Sequence, residues 1–195
     1  MDEGNSRKPP NLSSPIEQQP LSSLGRELKV WTRDIVIAVG LAVFIIVFFY
    51  QPVQVEGTSM APLLRDQERI FINKFVYRFE PIHRGDVVVF WYPLDTSESF
   101  IKRVIGLPGD TIQIKSGRLF VNGKYVPEPY VPKKYFDDSS YGPITIPPHE
   151  YFVMGDHRNS SNDSRIFGPV PRKYIYGKAV FAYWPFKKFG EISAP

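Results

Sequence analysis

The sequence predicts a mainly β protein, with coiled antiparallel β-sheets that follow one N-terminal transmembrane helix. Three observations predict this fold class. A long apolar segment lies near the N-terminus, many short segments after residue 52 are rich in β-branched and aromatic residues, and no 3.6-residue helical period appears among them. Short strands separated by turn residues are typical of sheets that fold onto one another.

The composition indicates one globular domain with appendages. Of the 195 residues, 43% are hydrophobic and 15% are aromatic, which is enough to build a single core. The formal net charge of +4 is modest and the basic residues are scattered, so no nucleic-acid partner is expected. Because the chain has no cysteine, disulfides, thiolate nucleophiles and cysteine-ligated metals are excluded.

Residues 1–30 and 31–52 differ sharply in composition. The first range is rich in Pro, Ser, Asn and Gln, which predicts a disordered tail. The second contains an uncharged run, 35–50, and is long enough for a helix to cross ~30 Å of hydrocarbon. Trp31 and Tyr50 lie near its ends, where amphipathic rings favour the interface. A core helix would show a polar stripe and a cleaved signal peptide would end in small residues, so we expect a retained anchor.

The basic residues near the anchor predict its orientation. Arg26, Lys29 and Arg33 precede the apolar run, and the next basic residue after it is Arg65. By the positive-inside rule, the tail is cytoplasmic and residues 53–195 form an extracytoplasmic domain close to a lipid bilayer.

The segments after the anchor have the composition of strands, and Pro, Gly and Asp residues bound them. The clearest are residues 68–79, 86–92, 100–105, 144–146, 150–154 and 176–184. Residues 111–126 alternate apolar and polar side chains, and Asn122-Gly123 is a strong hairpin signal. We therefore expect a small hairpin insertion around residues 111–145.

Ser59 lies between a glycine-led turn and a proline, just after the anchor. A serine hydroxyl is a weak nucleophile until a base accepts its proton. A Ser-His-Asp triad with His157 and Asp156 is not excluded, but adjacent residues seldom form the base–orienter pair, and no Gly-x-Ser-x-Gly elbow surrounds Ser59. The three histidines lack metal-ligand spacing, so no metal is expected.

Lys102 is the lysine best placed to serve as the base. A lysine accepts a proton only when neutral, so its pKa must fall from ~10.4 toward ~7–8, which requires burial. If residues 100–105 form a strand, Lys102 shares an apolar face with Phe100 and Val104, while Arg103 points to the other face. Periodicity alone leaves open a solvated lysine on an edge strand, which is the commoner outcome for strand lysines.

Residues 57–64, 101–110 and 154–170, in this order behind an anchor, together resemble the bacterial type I signal peptidases. These are membrane-anchored serine proteases with a Ser/Lys dyad, and the resemblance runs from the anchor to about residue 190. It implies an enzyme that removes N-terminal signal peptides from exported preproteins after small residues, at Ala-X-Ala sites. It also implies a cell or thylakoid membrane and no cofactor.

The resemblance assigns roles to individual residues. It implies that Ser59 is the nucleophile, that Lys102 is the general base, and that Ser161 orients the lysine through a hydrogen bond. It further implies structural support of the site by Asp156, Arg158, Asp163 and Arg165, the last two as an ion pair, and a shallow apolar substrate pocket formed by Val55, Met60, Leu64 and Ile101.

Two positions depart from the family's pattern. Many members have Ser or Thr two residues before the nucleophile, where the hydroxyl helps to bind the oxyanion. This chain has Gly57, so the backbone N–H of Ser59 must be the main donor. His157 stands where the family usually has Asn, and we expect it to be a polar substitute rather than a base.

We also expect Arg103 to pair with Asp156.

Two other classes of function remain open from the sequence alone. A self-cleaving Ser/Lys regulator related to the SOS repressors would need a DNA-binding head and an Ala-Gly cleavage site, and the chain contains no Ala-Gly pair. A non-catalytic, membrane-tethered β-module would predict that Ser59→Ala and Lys102→Ala leave preprotein processing unchanged.

Overall fold

The structure, a computed structural model, describes residues 21–192 and the side chains from residue 25 onward. Residues 1–20, which make up most of the predicted tail, and residues 193–195 lie outside the described residues. The chain divides into two compact units, one ending at Phe44 and the other beginning at Ile45.

The apolar segment forms one long helix, α1, Leu21–Phe49. It begins before the predicted start at Trp31, so residues 21–30 are helical rather than part of a disordered tail. Good helix formers in this flank favour that extension. Of the helices in the described chain, only this one, over Gly25–Phe49, is long and apolar enough to cross a membrane.

The helix ends before the predicted boundary at Pro52. Tyr50–Gln54 leaves the helix and forms strand β1, which pairs with Arg69–Asn73. Pro52 lacks the N–H that a helix interior requires, and it is tolerated in β1 because this strand lies at the edge of its sheet.

Short strands account for most of the chain after α1. In chain order they are β1 Tyr50–Gln54, β2 Arg69–Asn73, β3 Val87–Tyr92, β4 Asp95–Gly106, β5 Thr111–Lys115, β6 Arg118–Val121, β7 Lys124–Tyr125, β8 Tyr141–Thr145, β9 Glu150–Met154, β10 Val170–Pro171, β11 Ile175–Trp184 and β12 Gly190–Glu191. Two short α-helices, α2 Val76–Phe79 and α3 Ser164–Phe167, and single 3-10 turns at Lys133–Tyr135, Arg158–Ser160, Arg172–Tyr174 and Phe186–Lys188 lie between them.

The strand predicted for residues 68–79 is too long. It ends at Asn73, because the Asn73 side-chain oxygen accepts hydrogen bonds from the backbone N–H groups of Phe75 and Val76. An Asn whose side chain satisfies the N–H groups following it turns the chain out of a strand. Helix α2 begins directly after this turn.

The strands form two antiparallel sheets, which confirms the predicted mainly β fold. The larger sheet has the order β1-β2-β11-β3-β4-β9-β10, with β12 beside β11, and the smaller has the order β7-β6-β5-β8. The central strand β3 is buried continuously from Val87 to Phe90, as expected for a strand covered on both faces. Ile105 of β4 and Phe152 of β9 pack against Ile112 and Leu119, which join the smaller sheet to the larger one.

Candidate active site

Ser59 lies in a tight turn that the core holds from below. The carbonyl of Thr58 accepts a hydrogen bond from the N–H of Ala61 at 2.9 Å, which closes the turn around Ser59. Met60 and Leu64 are each 1% exposed and pack into the core beneath it. The turn therefore presents a half-buried serine from a fixed backbone.

Gly57 opens this turn in a conformation that favours glycine. Its φ of +83° lies in the left-handed region, where side chains are rarely tolerated. Its N–H donates to the Asp66 carboxylate at 2.7 Å, so this N–H is already used. A Ser or Thr in this conformation would be strained.

Strand β4 brings Lys102 directly to Ser59. The Nζ atom of Lys102 lies 2.7 Å from the Oγ atom of Ser59, and only 4% of the lysine is exposed. The ring of Phe100, two residues earlier on the same strand face, has its centroid 5.1 Å from Nζ. The lysine therefore occupies the buried strand position, not the solvated one.

Burial changes the acid–base behaviour of Lys102. Desolvation disfavours the ammonium and lowers the pKa of Lys102 to about 8, while the nearby Asp163 carboxylate opposes this shift. A lysine with this pKa is neutral in a substantial fraction of molecules at mildly alkaline pH. Its lone pair can then accept the proton of the Ser59 hydroxyl.

Ser161 does not make the hydrogen bond that the sequence predicts. Its Oγ atom is buried and has no hydrogen-bond partner among the described residues. It lies against Gly155, where an added Cβ would collide with both Ser161 Oγ and the Ser59 carbonyl oxygen. Ser161 is thus close to the nucleophile's backbone, while the Lys102 amine is directed to Ser59 instead.

A buried ion pair holds the first residues of the loop that carries Ser161. Arg103 donates to both carboxylate oxygens of Asp156, at 2.8 and 2.7 Å, and the two side chains are 1% and 0% exposed. Arg103 also donates to the Gly85 carbonyl at 3.0 Å. The pair expected from the sequence is therefore present, and its bidentate geometry fixes Asp156.

Asp163 and Arg165 form the expected ion pair, with 2.9 Å between Nε and Oδ1. Asp163 also accepts the N–H of Gly155 at 3.1 Å, so the pair ties the end of the loop to its beginning. Arg165 reaches a second carboxylate, Asp137, at 2.7 Å.

Arg158 has a partner that the sequence did not indicate. Its guanidinium donates to Glu128, with a distance of 2.6 Å for Nη1, and to the Gly155 carbonyl at 3.0 Å. Glu128 in turn accepts the hydroxyl of Tyr130 at 2.7 Å. No sequence pattern links a loop carboxylate to an arginine thirty positions later, so this contact could be found only in the folded chain.

A groove of about 510 Å³ borders the dyad, and Val55 and Ile101 of the predicted pocket line it. The other two predicted pocket residues, Met60 and Leu64, do not: they belong to the core beneath the turn. The remaining apolar residues that line the groove were not predicted from the sequence: Val53, Ile70, Val89, Phe100 and Tyr176.

Strand register explains which apolar residues reach the groove. Val53 is paired with Ile70 across β1 and β2, and Val89 is paired with Ile101 across β3 and β4. Paired residues project from the same face of a sheet, so each pair contributes two side chains to one surface. Alternation along β2 was a usable signal in the sequence, but β3 is apolar on both faces and the register between the strands could not be predicted.

One edge of β4 is open beside the groove. The strand pairs with β3 along most of its length, but it pairs with β9 only from Arg103 onward. In the described chain no strand covers the outer edge of Ser99–Ile101, which lies immediately before Lys102. An extended peptide can add to such an edge as a further strand.

The alternative catalytic triad is not assembled. Nδ1 of His157 lies 3.1 Å from the carbonyl oxygen of Thr58, not at the hydroxyl of Ser59. The Asp156 carboxylate is instead paired with the Arg103 guanidinium. No group of three His, Cys, Asp or Glu residues that could hold a metal occurs within residues 21–192.

Comparison with known proteins points to one family. Residues 28–184 match a family model described as signal peptidase, peptidase S26. The chain is 37% identical over 194 residues to a signal peptidase I of Leptolyngbya laminosa, which covers 95% of this chain and 91% of the relative. It is 43% identical over 167 residues to a signal peptidase I of Bacillus amyloliquefaciens, with coverages of 81% and 89%.

Two further matches are of the same kind. The chain is 41% identical over 169 residues to signal peptidase I S of Bacillus subtilis (strain 168), which covers 81% of this chain and 90% of the relative. A crystal structure of a signal peptidase I from Enterococcus faecalis V583 is 31% identical and covers 51% of this chain and 97% of its own, with a TM-score of 0.46.

Proposed function

Because the chain belongs to the signal peptidase family, peptidase S26, and is a serine endopeptidase, we propose that it cleaves signal peptides from exported preproteins with Ser59 as nucleophile and Lys102 as general base. The observation that carries this proposal is the 2.7 Å separation of Lys102 Nζ and Ser59 Oγ, with the lysine buried. A buried amine that has a lowered pKa and contacts a hydroxyl is the arrangement that activates a serine.

Acylation follows from this contact. The neutral amine of Lys102 accepts the Ser59 proton as Oγ bonds to the scissile carbonyl carbon, and the carbonyl oxygen becomes an oxyanion. The N–H of Ser59, which has no partner in the described chain, donates to this oxyanion. When the intermediate collapses, the C–N bond breaks, the Lys102 ammonium protonates the leaving amine, and the signal peptide remains as an ester on Ser59.

Deacylation uses the same groups in reverse order. Lys102, neutral again, accepts a proton from water, and the hydroxide attacks the ester carbon. The second oxyanion collapses, the ester C–O bond breaks, and the proton held by Lys102 returns to Ser59 Oγ. The signal peptide leaves with a new carboxylic acid, which releases its proton to the solvent at neutral pH, so atoms and protons balance over the cycle.

Strand addition at the open edge of β4 supports selection for small residues. Alternate side chains of an extended peptide point to the same side, so the residue before the cut and the one two positions earlier both face the groove. Val55, Val89 and Ile101 line that groove. We infer that these branched side chains favour small residues such as Ala at both positions. This is the pattern of an Ala-X-Ala site.

Helix α1 supports a membrane location. Its apolar length is sufficient to span a bilayer, and Arg26, Lys29 and Arg33 lie at its N-terminal end. We infer that the N-terminus is cytoplasmic and that the two sheets lie outside the cytoplasm. Preproteins that are still held in the membrane by their signal peptides would meet the active site there.

Cleavage of a preprotein with an Ala-X-Ala site tests the proposal. The full chain cuts after the second Ala, whereas Ser59→Ala and Lys102→Met each lower kcat by at least about 10³-fold. Lys124→Met is the matched control, because this lysine is exposed on the small sheet and its loss leaves the rate unchanged. Cleavage at the wild-type rate by either active-site variant would refute the dyad.

A further inference from the structure

We propose that His157 is a positioning residue for the oxyanion hole: its ring fixes the peptide group whose N–H binds the oxyanion. This peptide group joins Thr58 to Ser59. The inference deepens the proposed function and rests on it, because it concerns the same attack by Ser59. It assigns a task to the residue that differs from the Asn usual at this place.

The hydrogen-bond geometry identifies the donor. Nδ1 of His157 lies 3.1 Å from the Thr58 carbonyl oxygen. A carbonyl can only accept, so the hydrogen lies on Nδ1. The same oxygen accepts the N–H of Ala61 at 2.9 Å, and its two lone pairs accommodate both bonds.

His157 holds the nucleophile on both sides. Its backbone N–H donates to the Ser59 carbonyl at 3.0 Å, while its ring holds the Thr58 carbonyl. The two peptide groups that flank the Ser59 side chain are therefore both bonded to one residue of the opposite loop.

Fixing the Thr58 carbonyl also fixes the N–H of Ser59. The peptide group is planar and trans, so its C=O and N–H point in opposite directions and rotate together. A hydrogen bond to the oxygen also polarises the group and strengthens the N–H as a donor, by about 10–30% in linked chains of hydrogen bonds. The ring of His157 thus acts on the oxyanion without touching it.

Few other groups in the site can donate a hydrogen bond to the oxyanion in place of this N–H. Gly57 has no side-chain hydroxyl, and its own N–H is already bonded to Asp66. The Ser59 N–H makes no hydrogen bond within the described residues, and Ser59 is one of the residues that line the groove. Its direction therefore decides how well the oxyanion is bound.

The neighbours of His157 keep its ring in place. Asp156 before it is fixed by Arg103, and Arg158 after it is fixed by Glu128. The ring itself packs against Tyr135, with 4.2 Å between the ring centroids. The imidazole is consequently held at the Thr58 carbonyl before any substrate binds.

Three variants of the full chain separate hydrogen bonding from packing. His157→Asn retains an N–H close to the Nδ1 position, His157→Leu has nearly the same shape as Asn but no donor, and His157→Phe retains an aromatic ring against Tyr135 without a donor. We expect kcat of the Asn variant to stay within about threefold of wild type. We expect kcat of the Leu and Phe variants to fall about 10- to 100-fold with little change in KM, because a residue acting one step from the oxyanion contributes less than a direct donor.

A peptide aldehyde that ends in Ala supplies an independent readout. It adds to Ser59 as a hemiacetal whose oxygen occupies the oxyanion position, so its affinity should fall in the Leu and Phe variants in parallel with kcat/KM. Thermal unfolding midpoints show whether each variant is folded at the assay temperature. If Leu and Phe unfold, the folded Asn variant still decides, since a loss in kcat larger than about tenfold contradicts the inference.

The other outcomes also discriminate. Wild-type kcat in the Phe variant would assign His157 to packing alone and overturn the inference, as would equal losses in the Asn and Leu variants. A rise in KM at constant kcat would place His157 in substrate binding instead. The dyad is tested separately. If the wild-type chain cleaves no faster than Ser59→Ala, the proposed function itself is refuted.

Discussion

Lys102 shows how strand alternation determines the chemistry of a single residue. Its neighbour Arg103 points to the opposite face and forms a full ion pair with Asp156, so it keeps its charge in a buried place. No carboxylate among residues 21–192 lies at ion-pair distance from Lys102, so burial acts on it as a penalty for the charged form. Arg103 therefore remains a structural cation, whereas the adjacent Lys102 can titrate as a base.

The pH dependence of cleavage follows from the pKa of Lys102, about 8. Below this pH the amine is protonated and cannot accept the Ser59 proton, so kcat/KM should fall tenfold per pH unit as the pH decreases. Above it the rate should reach a plateau, at a pH about two units lower than that expected if the base were a solvated lysine with a pKa of ~10.4. Initial rates on a peptide substrate from pH 5 to about 10.5 measure this limb. A midpoint above 10 would contradict the lowered pKa.

Gly155 permits the close approach of the loop to the nucleophile. A Cβ there would overlap the Ser59 carbonyl oxygen, a backbone atom that cannot rotate away, as well as Ser161 Oγ. We expect Gly155→Ala to destabilise the fold by about 1–3 kcal/mol and to displace Ser59, with a large loss of cleavage.

Gly190→Ala is the matched control, because nothing lies within 4 Å of an added Cβ at that position. Unfolding midpoints and cleavage rates of both variants measure the two effects. If Gly155→Ala cleaves at the wild-type rate, the contact between the loop and Ser59 is not needed for activity.

At the scale of elements, the loop that follows β9 depends on the segment after β7. That segment supplies two carboxylates, Glu128 to Arg158 and Asp137 to Arg165. The two pairs differ in burial: the Arg158 and Glu128 side chains are 5% and 8% exposed, whereas Asp137 is 25% exposed. Arg165 also keeps Asp163 as a second partner. Arg158, by contrast, has Glu128 as its one ion-pair partner in the described chain.

Glu128→Gln should leave the buried charge of Arg158 without a counter-ion. Removing one partner of a buried ion pair costs about 3–5 kcal/mol, so we expect a clear loss in the free energy of unfolding. Asp137→Asn is the control and should cost no more than about 1 kcal/mol, because its pair is partly exposed. Denaturant titration in detergent measures both values. Equal, small effects would show that water reaches Arg158.

The elements were predictable from the sequence to different degrees. The hairpin at Asn122-Gly123 and the strands β3, β9 and β11 follow from local composition, because β-branched runs and Asn-Gly turns act over a few residues. The strand predicted over residues 68–79 was too long, because the Asn73 side chain binds the backbone N–H groups of Phe75 and Val76 in place of a neighbouring strand. The pairing of Glu128 with Arg158 could not be predicted, since it depends on how two distant loops meet.

The sequence predicted the residues of the candidate site that short motifs identify. It did not predict features that depend on how turns and paired strands orient the side chains. Ser59 and Lys102 came from motifs, and the structure brings them into hydrogen-bond distance. Met60 and Leu64 were assigned to the pocket because they neighbour Ser59 in sequence, but the turn directs them into the core. The hydrogen bond expected from Ser161 is absent for a similar reason: a motif gives the residue, not the direction of its hydroxyl.

At the scale of the whole molecule, the part of the chain from Ile45 onward contains every residue of the proposed active site. It is a compact unit, and the three clusters of buried apolar side chains lie within it. The dyad, the groove and the loop that carries His157 also belong to this unit. The part that ends at Phe44 contributes apolar helix, which we propose acts as a membrane anchor.

A chain truncated to residues 45–195 should separate catalysis from anchoring. It should cleave a soluble peptide with kcat/KM within about threefold of the full chain, because the dyad and its burial are unchanged. Cleavage of a preprotein embedded in vesicles should fall by about 10²-fold or more, because enzyme and substrate no longer share one membrane and the effective concentration is lost. Both forms are assayed at equal protein concentration, with truncated Ser59→Ala as the blank. Equal rates on the vesicle-bound preprotein would show that α1 serves a purpose other than proximity, whereas loss of peptide cleavage would show that the helix supports the fold.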